Sequence, residues 1–449
     1  MTLAARLART AAAALAALSV AFAPGAAAAL SVIRDAEIEA TLERLADPVL
    51  RAAGLPPGQV ELVIVDDRQP NAFVFDGRHI VLTTGLMRRF AEPEQLQGVI
   101  AHEAGHLVGG HIARRHIAMK NAEGPALIGL LLGVAAAAAS GSGGAGAAIA
   151  AGSQSAVMRG LLVNSRAEEA SADQAALTYL ERAGIDPSGL LSVMKTFRGQ
   201  EVFSARNQDP YMRTHPMSAD RLAMVERRSA EAGAGRSEPD PEAVYWSERM
   251  QAKLAAFLDA PQTTLSRLDR DDASEFARLR RAVALHRLPD PDAAVAEAER
   301  LIAMRPDDAF YHELKGQILL ESGRGPEAVA AYREAVRLAP REPLILGALG
   351  RALLAVGTPE ADREAVSALE RGAAESGGGS PALLRDLSYA YARVGEEGKA
   401  ALAAAERLAM TGQREDARRL AARAKAMLPE GGPAWLRADD IIVSLPPEG

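Results

Sequence analysis

Six residues, Ala101-His102-Glu103-Ala104-Gly105-His106, limit what this chain can fold into more than any other stretch. The residues before them, Glu92 to Ile100, carry helix formers with apolar side chains at Leu96, Val99 and Ile100, the spacing of a helix packed on a core. On such a helix His102 and His106 share one face, about one turn apart. Two imidazoles so placed can hold one Zn2+ at about 2.0–2.1 Å. Glu103 sits one residue round from the first ligand. It can take a proton from water activated at the ion without being a ligand, as a general base must. The plain alternative is two buried histidines and a surface Glu on an ordinary helix. Gly105 speaks against it. Glycine costs about 1 kcal/mol inside a helix, so it has a local reason here, such as close packing against a neighbouring element.

A third ligand lies downstream. Asn164 to Tyr179 reads as a helix with Glu169 and Asp173 four residues apart and Glu168 beside them. Glu169 completes a His2Glu set with an open position, as catalytic zinc requires, and Glu168 is its competitor. Asp173, one turn on, can hydrogen-bond a ligating histidine. The alternative is a solvated acidic face. Further on, Thr214-His215-Pro216 places His215 in an extended or turn conformation, because the residue before proline avoids the helix. Arg221 falls just inside the next helix. Either His215 or Arg221 could stabilise an oxyanion at the metal, although a lone loop histidine is usually structural. The helix of His102 is expected to continue past His111 and His116. At 100° per residue, His111 then lies about 180° from His102, and His116 is ~15 Å along the axis from His106. Both read as packing or surface residues.

Around this centre the chain divides into recognisable stretches. Asp35 to Ala53 has helical spacing and ends at Gly54-Leu55-Pro56-Pro57-Gly58. Val60 to Val65 reads as a strand. Residues 71–75 and 79–83 flank Asp76-Gly77, a hairpin signal. A small sheet therefore precedes the histidine helix, and its edge could take up an extended peptide as an added strand. The alternative is a purely structural sheet. Gly124 to Met158 contains no charged residue and reads as a hairpin of two hydrophobic helices, each too short to span a bilayer of ~30 Å. A buried hairpin is the first reading, and a membrane-touching lid over the active site is the second.

The N-terminus reads as an export signal. Arg6 and Arg9 are basic, Ala11 to Ala23 is apolar, and Ala26 to Ala29 supplies small residues for cleavage. The chain has no cysteine, which excludes a disulfide framework, a thiolate metal site and a cysteine-linked lipid anchor. Export without cysteine suggests a bacterial periplasm. The formal charge of −7 gives no support to a nucleic-acid role. In the C-terminal half, Pro340 follows Pro306 by 34 residues and Gly350 follows Gly316 by the same interval, the tetratricopeptide period. Ala328, Tyr332 and Ala335 fall where that repeat places small and aromatic residues. Helices at Trp246 to Leu258 and Ser274 to Leu285 extend the stack. Such an array offers a concave protein-binding surface, or else a structural cap on the first domain.

With these residues together, the chain resembles the zinc metallopeptidases related to the CAAX prenyl proteases and HtpX. Within them it is most similar to the soluble periplasmic, BepA-like branch that joins a signal peptide, a peptidase domain and tetratricopeptide repeats. The matching residues are Asn71-Ala72-Phe73, His102-Glu103-Ala104-Gly105-His106 with His111, Ser165-Arg166 through Glu169 and Ala172-Asp173, and Thr214-His215-Pro216 with Arg221. The resemblance runs from about Leu30 to Arg228, and the repeats match in kind. Ala170-Ser171 departs from the bulkier or charged residues of many relatives, which bears on packing rather than on the metal. The resemblance implies one zinc held by His102, His106 and Glu169, with Glu103 as general base. It also implies that His215 is a regulatory histidine able to take the fourth zinc position.

The expected fold is an α+β zincin-type metallopeptidase domain followed by an all-α tetratricopeptide solenoid. Its parts are a signal peptide at 1–29, a peptidase domain at 30–229 including the hairpin 124–158, a linker at 230–243 and repeats at 244–445. The expected function is a periplasmic zinc endopeptidase that degrades misfolded or stalled envelope proteins, by resemblance those of the outer membrane, and binds clients through its repeats. Peripheral membrane contact and the outer-membrane assembly machinery are the further partners expected. The rival reading is a mostly latent peptidase acting as a repeat-based chaperone or adaptor in outer-membrane protein assembly.

Overall fold

The computed structural model describes residues 31–111, 166–199, 209–232 and 240–445. The expected signal peptide, the hydrophobic stretch 124–158 and half of the expected linker lie outside these residues, as does His116. Helix α1 (Ala36–Ala52) starts at Asp35, whose side chain accepts from the backbone N–H of Glu37 and Ile38, and it buries Ile38, Leu42, Leu45 and Val49. Three short strands follow the expected pattern, β2 (Glu61–Val65), β3 (Ala72–Val74) and β4 (His79–Thr83), and a two-residue strand that was not expected, β1 (Val32–Ile33), precedes them. They form one sheet in the order β1-β2-β4-β3. β2 and β4 are parallel and the outer pairs are antiparallel, so β3 is an edge strand.

A short helix α2 (Thr84–Arg89) leads into α3 (Pro93–Val108), the helix of the two histidines. Pro93 opens it, and Glu92 and Gln95 form a reciprocal capping box. From Leu96 to His106 α3 is buried on every side, which explains why its polar residues must find partners inside the protein. Against it pack α4 (residues 166–183) and α5 (Ser188–Thr196). The chain continues through α6 (Pro210–Thr214) and α7 (Ala219–Ala232). Leu42 and Leu45 of α1, Ile64, Ile80 and Leu82 of the sheet, and Val99 of α3 share one core. Each fully buried aliphatic side chain there contributes about 1.5–3 kcal/mol.

Helix α8 (Pro241–Leu258) joins this domain to the helices beyond. Met250 and Leu254 enter the core just described. After α9 (Pro261–Arg267) come antiparallel helix pairs: α10 (Glu275–Arg287) with α11 (Pro291–Met304), α12 (Ala309–Glu321) with α13 (Gly325–Leu338), and α14 (Pro343–Val356) with α15 (Pro359–Glu375). α16 (Pro381–Arg393), α17 (Glu397–Met410), α18 (Arg414–Met427) and α19 (Pro433–Ser444) complete the array. The 34-residue spacing has a physical cause. A side chain at Gly316 would strike the Tyr332 ring at 2.9 Å, and one at Gly350 would strike Leu369 at 2.4 Å. In the α12–α13 and α14–α15 pairs the first helix therefore needs a glycine where its partner's large side chain crosses.

Candidate metal centre

The structure gathers His102, His106, Glu169 and His215 into one buried group, with one donor atom of each within 4.8 Å of all the others. Three elements deliver them. α3 carries the two histidines, α4 carries Glu169, and the loop after α6 carries His215. α3 and α4 approach closely at Gly105, where an added Cβ would lie 2.8 Å from the Ala172 carbonyl. That contact is the local reason for a glycine between the two histidines, and it sets Glu169 opposite them. Glu169 is fully buried and in the group, whereas the neighbouring Glu168 is only half-buried. Between the two sequence candidates, the geometry places Glu169 at the centre.

The donor geometry can be tested for fit. A tetrahedral ion bound at ~2.05 Å requires donor atoms about 3.3 Å apart. His102 Nε2 lies 3.1 Å from His106 Nε2 and 3.2 Å from His215 Nδ1. Glu169 lies 3.3 Å from His102 Nε2, 3.1 Å from His106 Nε2 and 3.2 Å from His215 Nδ1. The separations from His102 Nε2 to the other two imidazoles, and from one or other Glu169 oxygen to all three rings, thus match that spacing. Tautomers agree. Asp173 Oδ1 accepts from His102 Nδ1 at 2.9 Å, and the Ala72 carbonyl accepts from His215 Nε2 at 3.0 Å. The opposite nitrogen of each ring is left with a lone pair aimed into the group. His106 Nδ1 faces His111 Nδ1 at 2.8 Å, and donation to His111 turns the His106 Nε2 lone pair the same way. Three lone pairs and a carboxylate then converge with no donor among them, which is a site for a cation.

Electrostatics point the same way. Burial opposes charge on His102, but the Asp173 and Glu169 carboxylates outweigh it and raise its pKa to about 10. Burial also opposes ionisation of Glu169, yet the three imidazoles hold its carboxyl well below the usual range. His106 is shifted down by burial. A field that favours a proton on His102 favours a metal ion in its place.

Glu103 projects from α3 into the same pocket. Its Oε1 is buried, has no hydrogen-bond partner among the described residues, and lies 3.4 Å from His215 Nε2. An unpartnered buried carboxylate oxygen is costly in a purely structural role. Asp173 stands where the sequence put it, behind His102. Arg221 does not face the open side of the group. Its guanidinium donates to both Asp173 oxygens at 2.6 and 2.9 Å and to the Pro216 carbonyl at 2.7 Å, and it lies 3.1 Å from Glu169. Fully engaged, it orients the two carboxylates, and the expected oxyanion role is replaced by a positioning one.

His111 requires a second correction. α3 ends at Val108 instead of running on, and Gly110 takes a positive φ of 64°. That break swings His111 back onto His106, their rings 4.9 Å apart, where a continuous helix would have carried it to the far side. The Gly109-Gly110 pair was the available signal. Tyr211 is the other residue that pattern reading missed. Buried, its ring lies 4.7 Å from His215 and 5.0 Å from Phe197, so it walls the loop histidine.

An H-E-x-x-H helix, a carboxylate from a second helix and an α+β core, followed by stacked helix pairs, define a metallopeptidase with a repeat domain. Comparison with known proteins agrees. Residues 32–229 match peptidase family M48, and residues 279–343 and 313–377 match the tetratricopeptide repeat, so the chain carries an M48 peptidase domain followed by tetratricopeptide repeats. It is 26% identical over 320 residues to the beta-barrel assembly-enhancing protease of Escherichia coli strain K12, covering 69% of this chain and 62% of that one. The same-named protein of Yersinia pestis is 24% identical over 290 residues, covering 63% and 58%. A protease HtpX homolog from Thermoanaerobacter pseudethanolicus is 41% identical over 70 residues, 15% of this chain and 22% of its own. The match thus spans about three fifths of the length of the first two relatives.

Proposed function

We propose that the chain is a zinc-dependent endopeptidase of envelope quality control that cleaves misfolded or stalled outer-membrane proteins. The observation that carries this reading is the convergence of three imidazole lone pairs and the Glu169 carboxylate beside the unpartnered oxygen of Glu103. His102, His106 and Glu169 are the proposed ligands. A bound Zn2+ would supply the charge that makes water nucleophilic near neutral pH and polarises the peptide carbonyl. Glu103 takes the proton from the attacking water and passes it to the leaving nitrogen. Asp173 fixes the His102 ring, Arg221 fixes Asp173 and Glu169, and His111 fixes His106.

The envelope part of the proposal draws on the names of the relatives, on the export signal expected from the sequence of Arg6 to Ala29 and on the absence of cysteine. No described helix is long and apolar enough to cross a membrane. The proposed site of action is the periplasm, with the repeats binding clients or the assembly machinery. One observation favours latency. His215 Nδ1 already stands at the fourth corner of the donor group, where a catalytic site must stay open. The resting protein is therefore proposed to be held inactive by His215.

The decisive experiment is Glu103→Gln. The variant should keep one zinc per chain by elemental analysis and keep its melting temperature. Its cleavage of an unfolded outer-membrane protein should fall by at least about 100-fold, the scale of general-base catalysis. Undiminished cleavage by a zinc-loaded Glu103→Gln protein would remove Glu103 from the mechanism.

A further inference from the structure

The joint between the peptidase domain and the repeats is built from charge as well as apolar contact. Ala36, Trp246, Phe310 and Ile345 pack together there, with the Trp246 and Phe310 rings 6.0 Å apart. Beside them lies a buried ionic group. Arg249 and Lys253 come from α8, Asp35 and Glu37 from the cap and first turn of α1, and Asp308 and Glu313 from the cap and second turn of α12. Four carboxyl groups thus surround two cations. Lys253 Nζ lies 2.9 Å from Asp35, 3.1 Å from Glu37 and 3.8 Å from Glu313. Asp35 and Glu37 hold the close places. Glu313 stays beyond hydrogen-bond distance, and its buried Oε2 has no hydrogen-bond partner among the described residues. Tyr332 of α13 and Arg351 of α14 also face it, but Arg351 is exposed and lies 3.7 Å from Asp386 of α16.

With Glu313 ionised, the group buries more negative than positive charge, which a low-dielectric interior resists. Lys253 does not absorb the difference. Burial opposes its charge, but the surrounding carboxylates outweigh burial and hold its pKa above the ordinary value. Burial, joined by the Asp35 and Glu37 carboxylates, instead pushes the Glu313 carboxyl up from 4.5 to about 7, against the pull of Lys253. We infer that Glu313 is a protonation latch between the two halves of the molecule: its neutral carboxyl lets the joint close, and its carboxylate loosens it. A carboxyl raised in this way binds its proton more tightly in the closed, folded chain than in the open one. Its contribution to closure is whole below pH 4.5 and is lost as the pH rises through about 7. The latch requires neither zinc nor peptidase activity.

Trp246 stands in the joint, and Trp435 is the only other tryptophan. In the full chain carrying Trp435→Phe, urea unfolding followed by Trp246 fluorescence reads the stability of the joint from about pH 5 to about pH 8. The parent is compared with the same chain carrying Glu313→Gln, a neutral group of the same shape. The variant's advantage in equilibrium constant should widen with pH, by up to about tenfold per unit, until the parent's Glu313 is ionised in both states. It should grow from a few-fold at about pH 5 to on the order of 100-fold at about pH 8. The comparison cancels the other titrating groups, among them Glu342, a second carboxyl at this joint that burial raises. Equal pH slopes in the two proteins, or a variant less stable than the parent at about pH 8, would overturn the latch. So would a Glu313→Gln chain that does not fold, because the closed joint must accept a neutral group at that position.

Discussion

His215 makes five contacts that a merely structural loop histidine would not combine. Its Nδ1 lies 3.2 Å from both His102 and Glu169, its Nε2 donates to Ala72 and faces Glu103, and Tyr211 packs on its ring. Replacing it tests which contact matters. His215→Ala should raise cleavage of unfolded protein and weaken zinc binding, measured by competition with a chromogenic chelator, because a fourth ligand has been removed. A fall of about 100-fold in kcat would instead identify an oxyanion donor. At this scale much was legible in the sequence. His102, Glu103, His106, Glu169, Asp173 and His215 all reach one pocket, because helical spacing and a proline-bounded loop are local properties. What escaped was set by tertiary contact or by a break in a helix: Arg221's engagement by two carboxylates, the return of His111 across Gly109-Gly110 and the wall formed by Tyr211. No spacing rule within one helix announces these.

At the scale of elements, the centre depends on how closely α4 lies against α3. Gly105 meets the backbone of Ala172, three residues beyond Glu169, so the contact sets the separation of ligands carried by two different helices. Gly105→Ala should force the helices apart, costing about 1–3 kcal/mol of stability as an overpacked site does. Metal affinity should fall with it, because Glu169 recedes from His102 and His106. Equal zinc affinity in a folded Gly105→Ala protein would show that the separation is set elsewhere. The strands and α1 were readable from alternation and helical spacing. The end of α3 was not. Val108 and the residues after it keep an apolar, helix-compatible pattern, and only the adjacent glycines interrupt it.

On the scale of the whole molecule, α8 fastens the two halves. Arg249, fully buried, pairs with Glu37 of α1 and with Asp308 at the start of α12. Lys253 pairs with Asp35 at 2.9 Å and with Glu37 at 3.1 Å. Ser247 and Gln251 donate to the carbonyls of Ala91 and Met87, just ahead of α3, each at 2.7 Å. Arg249→Met leaves the half-buried Asp308 without its cation and the buried Glu37 with Lys253 alone, and should cost about 3 kcal/mol. Calorimetry should then resolve separate transitions for the two halves, where the wild type melts as one. A single, unshifted transition would show that apolar packing alone joins them. The repeat period was visible in the sequence, but this junction was not, since it joins residues far apart in the chain, 212 positions for Arg249 and Glu37.

The hydrogen bond from His215 to the Ala72 carbonyl has a consequence for how the protein is switched on. Ala72 is also an outward acceptor of β3, a rung that an incoming strand would use. One imidazole thus occupies two posts, a corner of the metal group and the first rung of the client's track. Under the proposed function, neither can be vacated alone. The track is complete only when the metal is uncovered, so engagement and arming form a single interlock. A segment too short to compete for that rung leaves the centre shut. Folded neighbours, whose strands are already paired, have no such segment to offer.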